Sequence, residues 1–171
     1  KLPENHFLFG ISRQLQWSKL IRPQETEKIT SIEAPNQIIQ GKLKEWFDAG
    51  NWDTLIPRIE INFLKGESVF RYWLDLQRYS VRALEHKGSN YAQAAEDIKF
   101  QLARLLNRIP DLVQLKFKDK QTPFADPETI KWINEEVMIA SGKGKIGESA
   151  ILPPIMGEDY DPVNKEYEAA F

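Results

Sequence analysis

At 171 residues, with 42% hydrophobic and 28% charged side chains, the chain has the composition of one folded globular domain rather than of a disordered segment. With 23 basic and 25 acidic side chains the net charge is −2, which argues against a general nucleic-acid binder. A mean hydropathy of −0.49 and the lack of a long apolar run exclude a membrane-spanning helix.

The absence of cysteine excludes disulfides and thiolate metal sites and fits a reducing compartment. The first residues, Lys1-Leu2-Pro3, resemble neither an initiator methionine nor a signal peptide, so the sequence reads as a piece of something longer.

Helical periodicity runs through most of the chain. A first helix is expected from Asn5 to Ile21, with Phe7, Ile11 and Leu15 on one face and Arg22-Pro23 as its stop. Gln24 to Ala34 is polar and reads as a loop. Pro35 opens a second helix carrying Ile39, Leu43, Trp46 and Phe47, which Gly50 closes. Asp53 is placed to cap a third, with Leu55, Ile56, Ile59 and Phe63 on one face and Pro57 inside its first turn.

A fourth helix is expected to run unbroken from Ser68 to Lys87. At about 100° per residue, Phe70, Trp73, Leu74, Gln77, Val81 and Leu84 fall on one stripe and Val69, Tyr72, Leu76, Tyr79 and Ala83 on another. Between them lies a charged strip of Arg71, Asp75, Arg78, Arg82 and Glu85, in which Asp75 is one turn from Arg71 and Arg78. Two apolar sides place this helix at the centre.

Gly88 ends it, and a fifth helix from Ser89 or Asn90 carries Ala94, Ala95, Ile98, Leu102, Leu105 and Leu106 until Pro110 terminates the run. A sixth opens at Asp126-Pro127-Glu128, where Asp caps and Pro takes the first helical position, and continues through Ile130, Ile133 and Val137. Gly50-Asn51-Trp52 and Gly88-Ser89-Asn90-Tyr91 join their helices by the same glycine-then-aromatic turn, at a separation found in helical solenoids. The fold class expected is therefore all-α: a compact stack of antiparallel helical hairpins, six or seven helices in number and solenoid-like in part. It should occupy residues 1–140, with 141–171 a linker or tail holding a short C-terminal helix over Val163–Ala170.

Little in the sequence points to chemistry. Gly142-Lys143-Gly144-Lys145-Ile146-Gly147 matches a dinucleotide-binding glycine pattern, but it follows a helix where that site needs a strand, and Pro153-Pro154 comes soon after. Glu158, Asp159 and Asp161 lack the spacing of a calcium loop. His6 and His86 stand apart from each other and from any triad or zinc spacing. No catalytic residue, cofactor or metal site is expected.

Of the aromatic side chains, Phe100 is off its helix's apolar stripe, among Glu96, Lys99, Arg104 and Asn107, so either a neighbouring helix covers it or another subunit does, the second being the favoured reading. Tyr72 and Tyr79 are further candidate interface residues, with core packing the favoured alternative for their stripe.

The run Trp73-Leu74-Asp75-Leu76-Gln77-Arg78, then Leu105-Leu106-Asn107-Arg108-Ile109-Pro110, Thr122-Pro123-Phe124-Ala125-Asp126 and Trp132 appear in an order that resembles the middle region of TssA and related ImpA-type proteins of type VI secretion. Gln121 departs from the glycine expected before the Thr-Pro-Phe segment. The resemblance implies a bacterial cytoplasmic protein that contacts baseplate, tube and sheath components, with this region as a self-associating, dimerising or spacing module and a larger ring elsewhere in the parent. It marks Trp73, Leu74, Asp75, Gln77, Arg78, Pro123, Phe124, Asp126 and Trp132 as structural motif residues, with no enzymatic role, no nucleic acid and no membrane insertion. A helical adaptor that binds a partner peptide in a groove is the alternative.

Overall fold

In the computed structural model, residues 7–139 are described, and they form an all-α stack. Seven α-helices are present among them: α1 (Phe7–Ser18), α2 (Gln37–Asp48), α3 (Trp52–Lys65), α4 (Val69–Tyr72), α5 (Asp75–Lys87), α6 (Ala92–Arg108) and α7 (Pro127–Trp132). The expected linker, its glycine pattern, the acidic turn, the C-terminal helix and His6 lie outside the described residues.

Helix α5 is the centre of the stack. It packs against α3 on one side and α6 on the other, while α2 lies on α3 and α1 on α6. Both expected stripes are buried, from Leu74, Gln77, Val81 and Leu84 on one to Leu76, Tyr79 and Ala83 on the other. The two tight hairpins form where the glycines allow them. Gly50 and Gly88 both adopt positive φ, at 69° and 110°, and Trp52 stacks on His86 across the two turns with ring centroids 4.8 Å apart.

Four expectations are corrected. The helix foreseen over Ser68–Lys87 is broken at Trp73, whose ψ of 96° leaves the helical region, and the Leu74 N–H donates instead to the Phe124 carbonyl at 2.7 Å. No proline or glycine marks this break; a tertiary hydrogen bond makes it. Of the charged strip on that helix, Asp75 and Arg78 are buried, at 7% and 8% exposed.

The apolar face read for α1 is also not the one it buries. Phe7, Ile11 and Leu15 are 60%, 47% and 64% exposed, whereas Phe9, Arg13 and Trp17 face inward. The helix carries two apolar rows, and the buried one is disguised by an arginine at its middle. Arg108 fixes the end of α1 by donating to the carbonyls of Trp17 and Leu20, both at 2.6 Å.

Finally, the polar segment after α1 is an antiparallel hairpin of two short strands, β1 (Glu25–Thr26) and β2 (Ile29–Thr30), closed by Glu27 and Lys28, both at positive φ. Lys116 bridges β2 in parallel and Pro123 in the opposite sense, so residues 115–124 form a β-patch with this hairpin. Asp53 does not cap α3; Asn51 holds that position, and Asp53 sits in the first turn.

Candidate interaction surface

The two motifs that stood out in the sequence, fifty residues apart, are clamped to each other. Asp75 accepts three hydrogen bonds: from Trp73 Nε1 at 3.0 Å, the Asp126 backbone N–H at 2.9 Å and Thr129 Oγ1 at 2.6 Å. Arg78, one turn on, donates to Thr129 Oγ1 at 2.9 Å and reaches Asp126 at 3.3 Å and Glu128 at 3.4 Å. Asp126 caps α7 through the Thr129 N–H at 2.7 Å, with Pro127 at the first helical position, as its sequence foretold.

The β-patch anchors the other end of this clamp. Phe124 is fully buried against the rings of Tyr72 and Phe117, at 5.6 and 4.5 Å, and its N–H donates to Leu115. Asp75 did not meet Arg71 or Arg78 as its helical spacing had suggested; its partners come from the α7 segment. Burial pushes the Asp75 carboxyl up to about 6, and the nearby Asp126 charge adds to that, against the three donors that favour its ionised form.

A second polar cluster lies between α1, α3 and α5, and sequence reasoning missed it. Arg13 is fully buried. Its guanidinium donates to Glu60 at 2.6 Å and Gln77 Oε1 at 3.0 Å and sits 4.7 Å from the centre of the Phe63 ring. Ser80 donates to the other Glu60 oxygen at 3.4 Å. Gln77, on an otherwise apolar stripe, is satisfied at its oxygen by Arg13, while its Nε2 has no partner among the described residues. The only hint in the sequence was a polar residue in each of the three inward rows.

Of the remaining motif residues, Trp73, Leu74 and Trp132 are buried in the core, and Pro123 lies in the β-patch beside the clamp. Tyr72 and Tyr79 are covered by the chain's own side chains, Tyr72 by Phe124 and Tyr79 by Phe47 at 4.7 Å. Phe100 is 62% exposed over a shallow hollow of about 360 Å³ on α6.

A larger apolar depression lies elsewhere. Helices α1 and α3 border a half-open groove of about 670 Å³, with Leu8, Ile11 and Leu15 on one wall and Pro57, Ile61 and Leu64 on the other. Glu60 and Ser12 line it as well, so the Arg13 cluster lies under its floor. Side chains, not close backbone packing, span the two helices here, which is why a groove remains between them.

Such an arrangement holds helices together and presents an apolar surface. Among the described residues no group of three or more His, Asp or Glu side chains gathers in a metal-binding geometry, and no helix is long and apolar enough to cross a membrane. The family described as "Type VI secretion, EvfE, EvfF, ImpA, BimE, VC_A0119, VasJ" matches residues 2–166, and the chain therefore belongs to it. A comparison with curated proteins finds no match.

Proposed function

From that membership we propose that the chain is a structural, non-enzymatic module of a TssA-type assembly protein, acting in the bacterial cytoplasm to help start and coordinate tube–sheath polymerisation on the baseplate. Within that protein it is the middle domain and serves self-association or spacing. Residues 1–140 are its working part, and 141–171 are a linker or tail.

The observation that carries this reading is where the polar motif residues spend their hydrogen bonds. Asp75, Arg78, Asp126 and Thr129 bind one another across elements, as do Arg13, Glu60, Gln77 and Ser80. Paired in this way, they fix helix positions and give the module a single shape on which an assembly can be built. A rigid module with an apolar face suits association.

The same groove favours the second reading, an adaptor that takes an amphipathic partner helix between α1 and α3. Light scattering on the purified chain separates the two. The first reading expects a mass of twice 19.9 kDa that holds over a wide concentration range; a monomer at every concentration transfers the groove to a partner peptide and overturns self-association.

A further inference from the structure

We propose that the α1–α3 face is the docking surface for a second copy of this chain, with α1 and α3 of each copy packing across a two-fold axis as a four-helix interface. This rests on the self-association reading above and names the surface and the partner which that reading leaves open.

The first feature of this face is spacing. Leu8, Ile11 and Leu15 follow one another by three and four residues along α1, and Pro57, Ile61 and Leu64 by four and three along α3. That alternation keeps a stripe in register with a neighbouring helix over successive turns, so each helix presents a packing seam outward. Leu8, Ile11, Leu15, Ile61 and Leu64 are 40–64% exposed.

The second is area. These five side chains, each 40–64% exposed, line one groove and form a single apolar patch of the kind found at the centre of a standard stable interface, to which each partner contributes roughly 800 Å². An isolated aromatic such as Phe100, ringed by Glu96, Lys99 and Arg104, offers much less.

The third is charge. The acids that line the groove are satisfied from within: Glu60 by Arg13 at 2.6 Å and Asp53 by Lys87 at 2.5 Å. Two copies of this face can therefore meet without uncompensated like charges, as a two-fold contact requires, since each group there faces its own equivalent or near neighbour. A basic peptide or an anionic surface finds no free counter-charge in the groove. Ridge and groove also lie side by side on one patch, so the row on α1 of one copy can enter the α1–α3 groove of the other and be matched by the reciprocal contact.

Sedimentation equilibrium on the whole chain tests this with Leu15→Glu, Ile61→Glu and Phe100→Glu beside the wild type. Leu15 and Ile61 are more than half exposed, so the variants should fold, and thermal melts followed by circular dichroism check that they do. Expected is a wild-type dimer whose Kd rises by about 100-fold or more in Leu15→Glu and Ile61→Glu, because a carboxylate would be buried without a partner, and is unchanged in Phe100→Glu. Folded Leu15→Glu and Ile61→Glu chains that dimerise with the wild-type Kd overturn this surface and leave self-association standing. Dissociation by Phe100→Glu alone overturns it in favour of α6. A monomeric wild type removes the self-association reading itself, and this inference with it.

Discussion

The Arg13 guanidinium and the Glu60 carboxylate meet at 2.6 Å beneath the α1–α3 groove, with Arg13 wholly buried and the Glu60 side chain 18% exposed. Removing one member of such a pair leaves the other as an uncompensated buried charge. Arg13→Ala should therefore cost about 3–5 kcal/mol. The double variant Arg13→Met with Glu60→Leu removes both charges and should recover most of that loss, short of the amount due to the unpaired Gln77 oxygen. Urea denaturation of the two variants against the wild type reads both numbers.

Asp75 gives the fold a pH dependence of defined sign. Its carboxyl rises from 3.8 to about 6 on folding, so between those values the folded chain binds more protons at this site than the unfolded chain. Stability from this group is then highest below about pH 4, falls as pH rises towards 6 and is level above, by about 3 kcal/mol across the window. The difference in unfolding free energy between the wild type and Asp75→Asn should drift with that slope from pH 4 to 6. A difference that stays constant over this range contradicts the burial argument.

Trp73 is 3% exposed and donates its indole N–H to Asp75, so it serves both the core and the clamp. Trp73→Ala should lower unfolding free energy by about 3–5 kcal/mol. An unchanged melting temperature in the presence of weakened self-association would instead put the ring at a contact between copies.

Two glycines should respond with opposite signs. Gly88, at φ 110° and ψ −175°, occupies a region that side chains avoid, and Gly88→Ala should destabilise by about 1–3 kcal/mol. Gly41 lies exposed inside α2 with nothing within 4 Å of an added Cβ, so Gly41→Ala should stabilise by about 0.5–1 kcal/mol. Thermal melts of the two single variants decide both.

What could be read in the sequence follows what each signal depends on. The stripes of α3, α5 and α6 were legible because each uses plain apolar side chains at helical spacing, and the Asp126-Pro127 start of α7 because capping chemistry is local. The break at Trp73 was not, since it depends on a hydrogen bond to Phe124, 50 residues away. The inward face of α1 was hidden because its central residue is an arginine, which becomes a core residue only when Glu60 and Gln77 arrive from two other helices. The β1–β2 turn uses Glu27-Lys28 where the familiar signal is Asn-Gly. The Trp-Leu-Asp-Leu-Gln-Arg and Thr-Pro-Phe-Ala-Asp runs could be singled out, but not their mutual contact.

The proposed role of the α1–α3 face is to bring copies of this chain together so that a type VI sheath can start. Fluorescence imaging of labelled sheath in the producing bacterium reads this out, with the chain's gene wild type, carrying Leu15→Glu, or lacking the codons for residues 7–139. Sheath structures are expected in the wild type, none in the deletion and markedly fewer in Leu15→Glu at equal protein level. Sheaths at wild-type frequency in the deletion overturn the assembly role, and at wild-type frequency in Leu15→Glu they overturn the role of this face.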